Sequence, residues 1–360
     1  MEQTVLIAVA AVIAVAAAVV LTGLYITQYL PPRAHVLTVE DHEYNAAEVK
    51  RRGSFMLLFE GDFAQGVTQD NLIDRTIERI IRDEVLRRRA PALVGDVGES
   101  DIQQELRERL GFASPTPGPA ASPAPGATGT PTAAPTVAAT PDADQRQREE
   151  RDFAEAQRDL YRSAGMGRDE YSAIVTAQLL ERRLRDRFRA ELGKTAPQVS
   201  LQQIRVADEP TAQRVRDQAL QGSDFVRLAA QYSITPTAKQ DGGELGVQLI
   251  ELLEPQVREA VESLPQGGVS AIVRFDRFFD IYKVTEAKTD RELEPAQADA
   301  LLKLKLDAWF EQETPNVKVE RDVSEEEADW LLDGIVSDAS KRERSNQPAA
   351  TPTAGTSGGQ

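Results

Sequence analysis

The stretch GSDFVRLAAQYSITPTAKQDGGELG, residues 222–246, carries the punctuation on which the reading of this chain turns. It reads as a helix holding Phe225, Leu228 and Ala229, a stop at the pair Tyr232 and Ser233, and a glycine-rich loop from Asp241 to Gly246. Alone, the pair Gly242 and Gly243 marks only a turn that needs positive φ. Its neighbours supply the rest. Upstream, residues 199–206 (VSLQQIRV) read as a strand; downstream, Leu264, Pro265, Gly267, Val269 and Ser270 form a second turn, and residues 281–284 a closing strand. Between Val199 and Glu286 the order is strand, helix, turn, glycine-rich loop, short helix, then two strands. That order predicts a small α+β unit over about residues 197–288.

The flanking sequence is helical in period. Leu72, Ile73, Ile77, Ile80, Ile81, Val85 and Leu86 mark a helix with one apolar face. Residues 36–39 read as a short strand and 45–52 as a capped helix; Ser100 begins another, with Gln103 at the capping-box position and Ile102, Leu106 and Leu110 on its stripe. Residues 144–192 carry Phe153, Leu160, Ile174, Leu179, Leu180, Leu184 and Phe188 inward, with a break at Gly165 and Gly167. Residues 113–143 between these regions are almost wholly Ala, Pro, Thr, Ser and Gly, too poor in apolar surface to hold a fold. Residues 34–112 and 144–193 therefore read as two parts of one helical module, its connecting loop lengthened at small entropic cost. A helix over 290–313, a short strand at Val317 and Val319 and an acidic helix over 324–335 are expected to pack on that module as a C-terminal part, 290–338, followed by a disordered tail, 339–360. No internal repeat stands out.

Composition removes whole classes of function. The chain has 360 residues, 41% hydrophobic and 28% charged, enough for two cores once the low-complexity stretches are set aside. A formal charge of -16 repels nucleic acid, so none is expected as a partner. There is no cysteine, hence no disulfide, thiol nucleophile or thiolate metal site. The only histidines are His35 and His42, which leaves no histidine metal cluster or Ser/His/Asp triad elsewhere in the chain. Glu325, Glu326 and Glu327 read as a helix first turn favoured by the dipole rather than a metal site, and Arg87, Arg88 and Arg89 as a solvated helix end. No metal and no cofactor are expected.

Residues 4–30 carry no charge and are long enough, at 1.5 Å per residue, to cross a hydrocarbon core of roughly 30 Å. Tyr25 and Tyr29 fit an interfacial belt, and Pro31 and Pro32 end the helix. A cleaved signal peptide is the other reading; the length of the apolar run favours a transmembrane anchor. Glu2 precedes the run, whereas Arg33, Lys50, Arg51 and Arg52 follow it, so the flanking charges alone place the bulk of the chain in the cytoplasm.

The five pieces of residues 199–284 quoted above, in that order, resemble the parvulin-type peptidyl-prolyl isomerases. A helical module split around such a domain, behind an anchor, resembles the secreted foldases of the SurA and PrsA type, loosely over residues 34–312. The resemblance implies an α+β fold: a discontinuous helical chaperone-like module plus a parvulin-like domain, a small antiparallel sheet with surrounding helices, behind one N-terminal transmembrane helix. It also implies an extracytoplasmic location on the cell membrane, against the flanking charges. The implied partners are unfolded or proline-containing secreted client chains, a bilayer through residues 4–30, and a homodimer as an open possibility.

Rotating an X-Pro amide breaks its partial double bond, with a barrier of about 18–20 kcal/mol. The chemistry asks for an apolar slot for the proline ring and a polar floor that favours the twisted amide. In the parvulin pattern two histidines and a cysteine or aspartate make the floor, and a methionine and a phenylalanine help make the slot. Carried over, the histidine positions hold Gln203 and Asp280, and the third holds Thr235, with Ser233 beside it. The slot positions hold Leu253 and Val257, and Phe279 takes the aromatic place before Asp280. The slot stays apolar while the floor is rewritten. Three readings remain open on the sequence, the first two being an isomerase with a replaced floor and a chaperone or scaffold that binds clients without turning them over. A membrane-surface protein with no client is the third.

Overall fold

The computed structural model describes residues 31–112 and 143–346. The expected membrane span 4–30, the insert from 113 to 142 and the tail beyond 346 lie outside them. Among the described residues no helix is long and apolar enough to cross a membrane.

In chain order the elements are β1 (His35–Val39), β2 (His42–Asn45), α1 (Ala46–Phe59), α2 (Gly61–Ala64), α3 (Leu72–Arg89), α4 (Pro91–Val94), α5 (Glu99–Leu110), α6 (Ala143–Ala164) and α7 (Arg168–Glu191). There follow β3 (Thr195–Val206), α8 (Glu209–Leu220), α9 (Phe225–Tyr232), α10 (Pro236–Asp241), β4 (Glu244–Leu249), α11 (Pro255–Val261), β5 (Val273–Phe275) and β6 (Phe278–Glu292). Last come α12 (Pro295–Glu313), β7 (Val319–Arg321) and α13 (Glu325–Asn346). They divide into two compact units: Met1–Arg182 with Gln312–Gln360, and Arg183–Glu311.

In the first unit β1 lies between β2 and β7, antiparallel to both, so the far end of the chain completes a sheet begun near its start. Helix α1 opens with a capping box: Asn45 Oδ1 accepts from Glu48 N at 3.0 Å, and Glu48 Oε2 accepts from Asn45 N at 2.9 Å. Small residues on α1 admit α13 at close range. A Cβ on Gly53 would stand 2.7 Å from Ile335 Cδ1, and Ser54 Oγ donates to Ile335 O at 3.2 Å. The apolar core gathers Phe55, Ile102, Leu106, Phe153, Tyr171 and Ile174 from four helices. Beside it runs a layer of buried charge. Arg52 donates to Asp83 at 2.7 Å, and Arg79 approaches Asp83 at 3.3 Å, Glu60 at 3.5 Å and Glu181 at 3.5 Å. Burial pushes the Asp83 carboxyl up, and the two guanidinium groups pull the other way. Arg87, Arg88 and Arg89, expected as a solvated helix end, are ion-paired with Glu84, Asp41 and Glu313.

In the second unit four antiparallel strands stand in the order β4-β3-β6-β5. One face packs Val199, Leu201, Val273, Tyr282 and Val284 against α11 through Val257 and Val261. The other packs Ile204, Val206 and Ile281 against α8 and α9 through Ala212, Val215, Phe225 and Leu228. Residues 204 and 206 thus face away from 201, as the two-residue period of a strand dictates.

Several expected boundaries move. The helix expected from 290 starts at Pro295, because β6 runs on to Glu292 to pair with residues 195–198 of β3. Up to Glu311, α12 belongs with the second unit, where Leu301 packs on Ala196 and Leu249, so the C-terminal part that packs on the helical module is shorter than 290–338. Helix α5 is capped earlier than expected, at Gly98 rather than Ser100: Asp101 Oδ2 accepts from Gly98 N at 3.0 Å, and Gln103 instead donates to Glu99 at 2.8 Å. Helix α13 continues through residues 339–346, expected as the start of the tail.

Arg52→Met removes the hydrogen-bonded cation of the buried Asp83 carboxylate, leaving Arg79 at 3.3 Å, and is expected to cost about 3 kcal/mol, with most of that recovered in the double variant Arg52→Met, Asp83→Leu. The check is urea unfolding followed by Trp330 fluorescence in a Trp309→Phe background, since Trp330 lies 5.2 Å from Lys50 where α13 meets α1.

Candidate functional site

The central pair of the second sheet, β3 and β6, positions the site. Gln203 lies opposite Tyr282, and Arg205 opposite Asp280, so all four side chains rise from one face. A glycine fixes the flank: Gly243 has φ +78, its carbonyl accepts from Gln203 N at 2.8 Å, and a Cβ there would collide with Gln203 O. Only glycine meets both conditions.

Asp280 is 0% exposed and takes four hydrogen bonds. Arg205 donates from Nε to Oδ1 and from Nη2 to Oδ2, each at 2.7 Å, a two-pronged ion pair. Gln203 Nε2 donates to Oδ2 at 2.7 Å, and the Tyr282 hydroxyl donates to the same oxygen at 3.1 Å. Gln203 Nε2 also reaches the Tyr282 oxygen at 3.3 Å. Burial first, then the Asp280 charge and the bond to it, push the Tyr282 hydroxyl well above the ordinary tyrosine range, so it stays a donor. The bond to Asp280 likewise raises Arg205. The Arg205 guanidinium lies 5.6 Å from the Phe275 ring and 5.9 Å from that of Phe278.

Tyr282 joins two environments. Its hydroxyl belongs to the polar group, while its ring packs with Val257, Ile250 and Val199, against which Leu253 is partly buried. Leu253 and Val257 therefore adjoin the polar floor, on the same face. Phe279 does not. Expected in the slot, it packs on the opposite face against the core of Ile204, Phe225 and Ile281, because adjacent residues of a strand point to opposite sides. Besides Tyr282, the Asp280 face carries the rings of Phe275 and Phe278.

Thr235 and Ser233 lie in the turn that follows α9. Ser233 ends α9, is buried, and accepts from Thr235 N at 3.3 Å. Their segment is tied to β3 by the bond from Ile234 N to Arg205 O at 2.8 Å, but among the described residues no hydrogen bond links either hydroxyl to Gln203 or Asp280. Arg205 and Tyr282 are the members that sequence reasoning missed. Each stands two residues along its strand from a position already singled out, so strand alternation alone would have placed them beside it. Among the described residues no group of three or more histidine, aspartate or glutamate side chains is placed to hold a metal ion.

The polar cluster thus stands beside Leu253 and Val257 on one face of a four-stranded antiparallel sheet. Residues 194–286 match the Rotamase family, described as the PPIC-type PPIASE domain, and this segment of the chain is a domain of that family. Among curated proteins, foldase protein PrsA 4 of Bacillus cereus is 28% identical over 129 residues, 36% of this chain and 42% of the relative. Foldase protein PrsA of Caldanaerobacter subterraneus is 38% identical over 80 residues, 22% of this chain and 26% of the relative. The chain thus spans less than half the length of either relative. A crystal structure of the peptidylprolyl isomerase PrsA from Bacillus anthracis aligns at 16% identity and TM-score 0.34, covering 73% of this chain and 97% of that one.

Because the fold favours protonated Tyr282, that residue adds stability at every pH below the ordinary tyrosine range and loses it as pH climbs toward the folded value. Spectrophotometric titration at alkaline pH is expected to show late-ionising tyrosines, Tyr44 beside Glu84 among them, and Tyr282→Phe to remove one of these. Loss of an early-ionising tyrosine instead would contradict the buried hydrogen bond.

Proposed function

We propose that this protein is an extracytoplasmic folding factor whose parvulin-type domain takes proline-containing segments of unfolded or partly folded clients and eases rotation about the X-Pro bond. The observation that carries this reading is the Gln203, Arg205, Asp280 and Tyr282 cluster set beside Leu253 and Val257 on one face of the sheet. The sequence match to the PPIC-type domain and to curated foldases agrees with it. Residues 4–30 hold the chain at a membrane, and the first unit offers a helical surface to the client.

No proton has to move for an amide to rotate. The slot removes water from the proline ring and the amide, and polar groups at its edge favour the twisted geometry over the planar one. Each tenfold acceleration asks for about 1.4 kcal/mol of such preference. Gln203 is suited to this: its amide nitrogen is committed to Asp280, which fixes the orientation of the carboxamide.

The second reading, a chaperone that binds without catalysis, draws on the saturation of Asp280. A fully buried carboxylate with four donors has little left to offer a client.

The two separate in a protease-free prolyl isomerisation assay on the full chain. Acceleration that Gln203→Ala and Asp280→Ala each reduce tenfold or more is the expected outcome. No acceleration, together with suppressed aggregation of an unfolded client, would establish the non-catalytic reading.

A further inference from the structure

The four cluster residues are unequally accessible. Asp280 and Tyr282 are buried, at 0% and 4% exposure, whereas the Arg205 side chain retains 34% and Gln203 is half-buried. A segment laid on this face therefore meets Gln203 and Arg205, and Asp280 lies beneath them. The carboxylate is also spoken for, with two bonds from Arg205, one from Gln203 and one from Tyr282. Its place is that of an anchor, and its orientation is set by the one partner that grips both oxygens.

We propose that Arg205 is a positioning residue of this site: by clamping both oxygens of Asp280 it fixes the acceptor that aims the Gln203 carboxamide at a bound prolyl segment. This rests on the reading of the site as a prolyl site. The Gln203 amide and the Arg205 Nη2 converge on one oxygen, Oδ2, so rotation of the carboxylate out of the Arg205 fork moves the acceptor that Gln203 follows. The fork is itself steadied, with Phe275 and Phe278 close to the guanidinium. Lysine at 205 would supply the charge without the two-pronged geometry. Arg205 is thus placed to act on turnover through Gln203, without itself being the group that contacts the reacting amide.

The test compares the full-length wild type with Arg205→Lys, Arg205→Leu and the double variant Arg205→Leu, Asp280→Leu. It uses a proline tetrapeptide, read as the catalysed rate, or as peptide Kd if the wild type binds without turnover. Arg205→Leu alone leaves a buried carboxylate unpaired and is expected to lower the melting temperature; the double variant removes both charges and restores it. With melting restored, the proposal requires kcat to stay down about tenfold or more with KM within about twofold, or Kd to weaken about tenfold, and requires Arg205→Lys to rescue only in part. Recovery of wild-type function in the double variant, or full function in Arg205→Lys, would show a purely structural pair and overturn the proposal while leaving the prolyl site intact. A wild type that neither accelerates isomerisation nor binds the peptide sinks the prolyl reading itself, and the proposal with it.

Discussion

The long antiparallel pairing of β3 with β6 is the constraint on which the second unit depends. It draws Thr195 to Glu292 at one end and Val206 to Phe279 at the other, so the helices and the edge strand β4 encoded between them must close as one large loop. Two cores result, one on each face, and over residues 201–206 and 279–284 the side chains alternate between those faces. The polar cluster exists because parity puts residues 203, 205, 280 and 282 on a single side. A slip of one residue would turn Asp280 to the face packed beneath α8 and α9 and away from Arg205. The ion pair and the register therefore enforce each other.

The first unit uses charge differently. Its Arg52, Arg79, Asp83 and Glu181 lie among helices rather than on a sheet. Such a layer specifies which helices meet: Arg52 comes from α1, Arg79 and Asp83 from α3, Glu181 from α7. Close backbone approach does the same work between α1 and α13, where Gly53 and Gly334 leave room for the partner helix.

Much of this was legible in the sequence, and the failures have physical causes. Residues 222–246 announced helix, stop and glycine-rich loop because each needs a particular residue: Asp224 as cap, Ser233 as end, Gly243 at positive φ. Gln203 and Asp280 were found through family resemblance, and the structure joins them at 2.7 Å. Arg205 escaped notice because an arginine on a strand is usually solvated, and its role is visible only once Asp280 is seen to be buried. Phe279 was misassigned because adjacency in sequence is not adjacency on a face. The last residues of β6, Asp290, Arg291 and Glu292, were read as the start of a helix since a solvated ribbon paired with residues 195–197 needs no apolar alternation to hold it. Thr235 and Ser233 sit in the turn between α9 and α10, where Ser233 Oγ accepts from Thr235 N.

The placement of β7 and α13 in the first unit has a consequence for biosynthesis. Strand β1 gains its second neighbour, and α1 the helix that fills its glycine notch, only when the last tenth or so of the chain has been made. At about 5–20 residues per second, the opening elements wait on the order of tens of seconds for their partners, while all of residues 183–311 emerge meanwhile. A ribosome making this protein thus delivers a completed parvulin-type domain before a completed N-terminal one, and the nascent chain holds an unfinished sheet edge at one end for most of its synthesis.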